Sequence, residues 1–210
     1  MKTILCFGDS NTWGAWAGRD DRYDEKTRWG SRLRKLLGED YWVVEEGQNG
    51  RTTVWDDPIE NRMAGLTYLW PCLESHHPID LVIIMLGTND TKPYFGVNAD
   101  NIAAGAGRLV DMVQRSSFGP GKTAPKVLLI SPIRVLLSDY YPHLFREEQV
   151  EKSKGFPRAF KTVADQYGCY FLDAAQYAQP DPADGIHLDA AGHASLAQAV
   201  YEKVKEIFAP

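Results

Sequence analysis

The chain has 210 residues, 44% hydrophobic and 24% charged, a mix that supports one sizeable core in an ordinary globular protein. Its formal net charge of −5 works against nucleic acid, whose binding surfaces need basic patches, so no nucleic-acid partner is expected. No apolar run approaches the roughly 18 residues needed to span a bilayer, so no membrane partner is expected either.

The first apolar run is Thr3–Phe7. The stretch around it has one Lys but no extended apolar segment and no small-residue cleavage site. It reads as a first strand rather than an export signal, and a cytoplasmic location is expected. Trp29, Leu33, Leu36 and Leu37 then share a helical face ahead of Gly38, a stop signal. Trp42–Val44 is the second strand and Leu81–Leu86 the third, separated by a long connection, Gln48–Pro78. A second helical stripe follows in Ile102, Ala106, Leu109, Val110 and Val113. Val127–Ile130 is the fourth strand, and Pro132–Gln149 a second long connection. Phe160, Val163, Ala164 and Tyr167 form a third stripe ending at Gly168, before a fifth strand at Cys169–Leu172. The last helix starts near Ala190, with Leu196, Ala197, Val200, Val204 and Ile207 on one side and Asp189 as N-cap.

Most of the strand runs are apolar without alternation, as strands covered on both faces should be. Repeated strand–helix alternation predicts an α/β fold: a three-layer α/β/α sandwich around a central five-stranded parallel sheet, flavodoxin-like in architecture. There is no internal repeat, low-complexity tract or linker, so residues 1–210 are expected to form a single domain. The three cysteines, Cys6, Cys72 and Cys169, are odd in number and lack CxxC spacing, which predicts reduced thiols.

In open α/β sheets ligands bind beyond the carboxyl ends of the strands, and polar residues cluster there. After strand one, Gly8-Asp9-Ser10-Asn11-Thr12 offers a hydroxyl at a strand-to-helix turn, although a Ser there also serves as a plain N-cap. After strand two, Gly50 lets the backbone approach a ligand, or is an ordinary turn glycine. After strand three, Asn89 in Gly87-Thr88-Asn89-Asp90 can donate to a developing oxyanion, or cap a turn. Late in the chain, Asp184-Gly185-Ile186-His187 sets an acid three residues before a His. That acid can hold Nδ1 and leave Nε2 free to accept a proton. His193 falls within the last helix and reads as structural. His76 and His77 are adjacent and diverge, and there is no HExxH or Cys/His cluster, so no metal is expected. Each signal is ambiguous alone. Together they supply a nucleophile, a base, its orienting acid and three oxyanion donors.

With those residues in place, the sequence resembles the SGNH hydrolases, the GDSL-type esterase family, over nearly its whole length. The resemblance gives Ser10 the nucleophile position, Asp184 and His187 the acid and base positions, and Ser10, Gly50 and Asn89 the oxyanion hole. Asn11 stands where the family name implies Leu. Within the family the chain is most similar to bacterial arylesterases and acyltransferases with perhydrolase activity, through Ile4–Ser10, Glu45-Glu46-Gly47, Arg51-Thr52-Thr53, Asp56-Asp57-Pro58 and Asp80–Lys92. The segment Ser138–Gln149 departs from them. The resemblance implies the SGNH hydrolase fold, a serine esterase acting on short-chain aryl or alkyl esters through an acyl-enzyme, acyltransferase or perhydrolase activity beside it, no cofactor, and a homo-oligomer. Asn11, Trp13, Trp16, Thr88 and Ile186 are expected to bind substrate. Trp55, Trp70, Tyr94, Phe95, Tyr140 and Tyr141 also fall in or beside loops near the site. A carbohydrate O-acetyl esterase is the alternative within the family. A non-catalytic flavodoxin-like binding module is the alternative of another class, although the Gly8–Gly14 stretch lacks a phosphate-binding glycine pattern.

Overall fold

Five parallel strands line up in the order β2-β1-β3-β4-β5. They are β1 (Lys2–Gly8), β2 (Tyr41–Gly47), β3 (Leu81–Met85), β4 (Lys126–Ser131) and β5 (Tyr170–Asp173). The computed structural model describes residues 1–209. The chain runs outward from β1 to β2, then returns to the other side of β1 and proceeds through β3 to β5. This reversal puts a switch point at the carboxyl ends of β1 and β3, where a crevice opens.

Alternate residues of β1 feed two separate cores. Ile4 and Cys6 pack beneath α2 (Trp29–Leu37) and α7 (Ala190–Ile207), with Trp29, Leu33, Val200 and Val204. Leu5 and Phe7 pack beneath α3 (Gly65–His76), α4 (Ala99–Gln114) and α6 (Phe156–Tyr167), with Leu69, Ile102 and Phe160. All five residues of β3 are buried. Each such Leu, Ile or Val contributes ~1.5–3 kcal/mol relative to exposure, which is why the predicted strands carry no polar alternation. Asp189 caps α7 as expected, accepting the Gly192 N–H at 2.6 Å, and the Gly38 N–H closes α2 onto the Arg34 carbonyl.

Several elements differ from the sequence reading. β2 runs on to Gly47 because its two glutamates are partnered: Arg28 meets Glu45 at 3.1 Å and His76 meets Glu46 at 2.8 Å. The connection 48–78 contains all of α3. Pro71 reads as a breaker there, but it lies on the exposed face, where the bond it cannot donate would have gone to the equally exposed Thr67. The connection 132–149 runs into a further helix, α5 (Glu147–Lys154). Leu36, assigned to the apolar face of α2, is 43% exposed. Cys169 sits just before β5, half-buried, and all three cysteines are free thiols.

Candidate active site

Ser10 opens the four-residue helix α1 (Ser10–Trp13) directly after β1. The cap is its neighbour: the Asp9 carboxylate accepts the Asn11 N–H at 2.9 Å. The Ser10 hydroxyl is therefore free of capping duty, and its Oγ lies 2.8 Å from His187 Nε2. On the other side of the ring, Nδ1 lies 2.7 Å from Asp184 Oδ2. A nitrogen facing a carboxylate carries the hydrogen, so Nε2 presents its lone pair to the Ser10 hydroxyl. The structure thus brings Ser10, His187 and Asp184 into one hydrogen-bonded line.

Asp184 is oriented from four directions. Oδ1 accepts the N–H groups of Ile186 and His187, both at 3.0 Å, and Oδ2 also accepts the Gly18 N–H at 2.9 Å. Burial pushes this carboxyl up, but the hydrogen bond and charge of His187 and the backbone amides outweigh it, and its pKa falls to about 2. Gly185 turns the chain between acid and base at φ +77°. A Cβ there would lie 2.2 Å from the Leu136 carbonyl oxygen, so only glycine fits.

The stretch from Val135 to Phe145, ahead of α5, props this turn. The Leu136 N–H donates to the Gly185 carbonyl at 2.8 Å and Ser138 Oγ to the Asp184 carbonyl at 2.7 Å. Ile186 packs into a small apolar cluster with Val135 and Phe145.

Asn11 clamps the same turn to α1. Its Nδ2 donates to the Ile186 carbonyl and its Oδ1 accepts the Leu188 N–H, both at 2.9 Å, so it grips the backbone on either side of His187. Asn11→Ala should cost roughly 2–3 kcal/mol in denaturant unfolding, because it strands two buried backbone groups. It should also lower kcat more than it raises KM. Unchanged stability would rule out the clamp.

The oxyanion candidates are tied together by Arg51, a residue to which sequence reasoning gave no role. Buried, it donates from Nη1 to the Gly8 carbonyl at 2.8 Å and to the Glu46 carbonyl at 2.5 Å, joining the ends of β1 and β2. Its own carbonyl accepts one hydrogen of Asn89 Nδ2 at 3.1 Å, which leaves the second amide hydrogen for a ligand. Gly50 precedes it at φ +76°, and a Cβ there would press on Arg62 Cγ at 3.0 Å. Among the described residues, no backbone acceptor takes the N–H of Ser10 or of Gly50.

Two carboxyls support this frame. Asp90 Oδ1 accepts the Thr53 N–H at 2.8 Å and its hydroxyl at 2.5 Å. Burial raises Asp90 to about 6 against those bonds, and raises Asp9 to about 6 against the Asn11 amide and the charges of His187 and Arg51. A folded-state pKa above the ordinary 3.8 means that each group's contribution to stability is full below 3.8 and is lost as pH rises through about 6. Asp184 acts oppositely, losing its contribution as pH falls from 3.8 towards 2. As pH rises from 3.8 through about 6, wild-type stability should decline by about 3 kcal/mol per raised group. Asp90→Asn, neutral throughout, should show a flatter decline in unfolding experiments across that window. Identical pH slopes would contradict this.

The expected substrate residues divide. Asn11 and Ile186 are buried and serve the frame, while Thr88 is buried with its hydroxyl unpartnered among the described residues. Trp13 and Trp16 are half-buried: Arg22 lies over the Trp13 ring at 5.0 Å, while Trp16 stacks on Tyr23 at 4.8 Å under Arg19. Tyr94 donates its hydroxyl to Asp57, beside the buried Lys92. Trp70 packs on Phe118, whose carbonyl accepts the Ile79 N–H ahead of β3, so it lies at the opposite end of the sheet from Ser10. His193 is structural as expected: buried in α7, its Nδ1 accepts the Trp29 N–H at 3.3 Å. A groove of about 1340 Å³ along α2 and β2 has neither His nor Cys in its lining and lies apart from the Ser10–His187 pair.

The arrangement is matched by known proteins. Residues 6–195 fit the model of the GDSL-like Lipase/Acylhydrolase family. The native aryl esterase of M. smegmatis superposes with a TM-score of 0.93 at 40% identity, over 99% of this chain and 100% of that one. A carbohydrate acetylesterase from Sinorhizobium meliloti gives the same TM-score, identity and coverage. An acetylxylan esterase of Xylanibacter ruminicola is 29% identical over 96% of this chain, and the chain spans 43% of that relative's length. The match of nearly the whole chain to one family model, with relatives at 40% identity on the same fold, settles its kinship: the chain belongs to the GDSL-like lipase/acylhydrolase family.

Proposed function

We propose that the chain is a serine carboxylic ester hydrolase, with residues 1–210 as one catalytic domain and Ser10, His187 and Asp184 as its triad. The observation that carries this is the line from Ser10 Oγ through His187 to Asp184, with contacts of 2.8 and 2.7 Å. His187 Nε2 takes the Ser10 proton as Oγ attacks the ester carbonyl. The N–H groups of Ser10 and Gly50 and the spare Asn89 amide hydrogen hold the oxyanion. His187 then protonates the departing alcohol, and a second acceptor releases the acyl group from Ser10. Because the same acyl-enzyme can pass to water, an alcohol or peroxide, acyl transfer accompanies hydrolysis.

Removing one oxyanion donor typically costs ~10²–10³ in turnover. Asn89→Ala should therefore lower kcat on p-nitrophenyl acetate by about that factor, with KM little changed. A loss smaller than about threefold would remove Asn89 from this role.

Short acyl groups suit the site, since among the described residues no apolar helical lid follows the motifs. Trp13 and Trp16, each half-buried, are the aromatic faces left for an aryl or acyl group. A carbohydrate O-acetyl ester is the second reading, favoured by the acetylesterase relatives. Acetate release from acetylated xylan, set against p-nitrophenyl acetate, separates the two. Exposed Ile59, Met63, Leu137 and Tyr140 support a homo-oligomer, to be read by sedimentation. We place the protein in the cytoplasm, without a nucleic-acid partner. No helix among the described residues is long and apolar enough to cross a membrane.

A further inference from the structure

Away from Ser10, Cys72 and His76 lie four residues apart on α3 and so share one face of the helix. That face meets the end of β2 at Glu46. One ligand atom from each of the three residues lies within 4.8 Å of the other two. We propose that Glu46, Cys72 and His76 form a Zn²⁺ site.

The donor set favours this ion. A thiolate, an imidazole and a carboxylate together suit borderline-soft Zn²⁺ better than the hard, oxygen-seeking Mg²⁺ or Ca²⁺. Bond lengths of about 2.3 Å to sulfur and ~2.0–2.2 Å to nitrogen and oxygen would let a group of this spread close around one ion with small side-chain rotations. Cys72 is buried, while the side chains of His76 and Glu46 are 29% and 21% exposed. The ion therefore enters from the solvent side, and water fills the fourth position. Thiolate and carboxylate together neutralise its two charges, and the thiol proton leaves to solvent. The sequence hid this group because the third ligand comes from a strand far from the helical pair.

The Glu46–His76 contact at 2.8 Å is also a self-sufficient hydrogen bond, and experiment must separate the two roles. Co²⁺ added to chelator-treated protein reports on sulfur ligation. One equivalent should produce a sulfur-to-cobalt charge-transfer band, which one equivalent of Zn²⁺ should abolish. Cys72→Ser should lose the band, and His76→Ala should weaken Co²⁺ binding at least ~10-fold. His76→Ala should keep the wild-type circular dichroism and the wild-type rate on p-nitrophenyl acetate, so a folding defect would not mimic the result. Absence of the band in wild-type protein, or its survival in Cys72→Ser, would overturn the proposal.

Discussion

Ser10→Ala should lower kcat on p-nitrophenyl acetate by on the order of 10⁶, close to complete loss, because members of a triad act as a unit. The fold should survive. Asp9, not Ser10, caps α1, and the serine hydroxyl's hydrogen bond is to His187 alone among the described residues. Removing it vacates one bond at the mouth of the site, so thermal unfolding should shift by no more than a few degrees. The pairing of lost turnover with a preserved melting temperature separates a chemical role from a structural one. A variant within tenfold of the wild-type rate would place the nucleophile elsewhere.

Asp184→Asn should lower kcat by roughly 10⁴. Asp184 Oδ1 would continue to accept the Ile186 and His187 amides. The other position is where the change acts, because Oδ2 accepts from both His187 Nδ1 and Gly18 N–H. An amide nitrogen there is a donor facing two donors. The imidazole then adopts the opposite tautomer, with its hydrogen on Nε2, and can no longer take the Ser10 proton. The Gly18 backbone must also shift, carrying the 15–23 loop and Trp16 with it. The expected signature is a collapse in kcat, with little change in KM for a small ester. A variant retaining a tenth of wild-type activity would mean that Asp184 does not set the tautomer.

The sheet was legible because its central strands bury both faces. Ile4 and Cys6 face one core and Leu5 and Phe7 the other, so the sequence shows an unbroken apolar run. Ser10, Gly50 and Asn89 were legible because they follow the first three runs closely, and Asp184 and His187 through their own spacing. What stayed hidden depended on partners far along the chain. The ends of β2 were missed because Glu45 and Glu46 look solvent-facing until Arg28 and His76 are folded against them. α3 lay inside a connection read as one long loop, and its Pro71 is tolerated because it sits on the exposed face. Asn11 looked like a substrate contact, being next to Ser10, yet both ends of its amide go to a backbone that begins 175 residues later. Arg51 entered only as part of the Arg51-Thr52-Thr53 stretch that carries the resemblance, with no role of its own. Its role comes from three carbonyls, two that its guanidinium holds and one that it offers to Asn89.

A fluorophosphonate probe tests the nucleophile most directly, since it reacts only with a serine activated by a neighbouring base. Intact-mass analysis and peptide mapping after inactivation should find one adduct, on Ser10, growing in proportion to the loss of esterase activity and absent from the His187→Ala variant. Full inactivation with the adduct on any other residue would contradict the account.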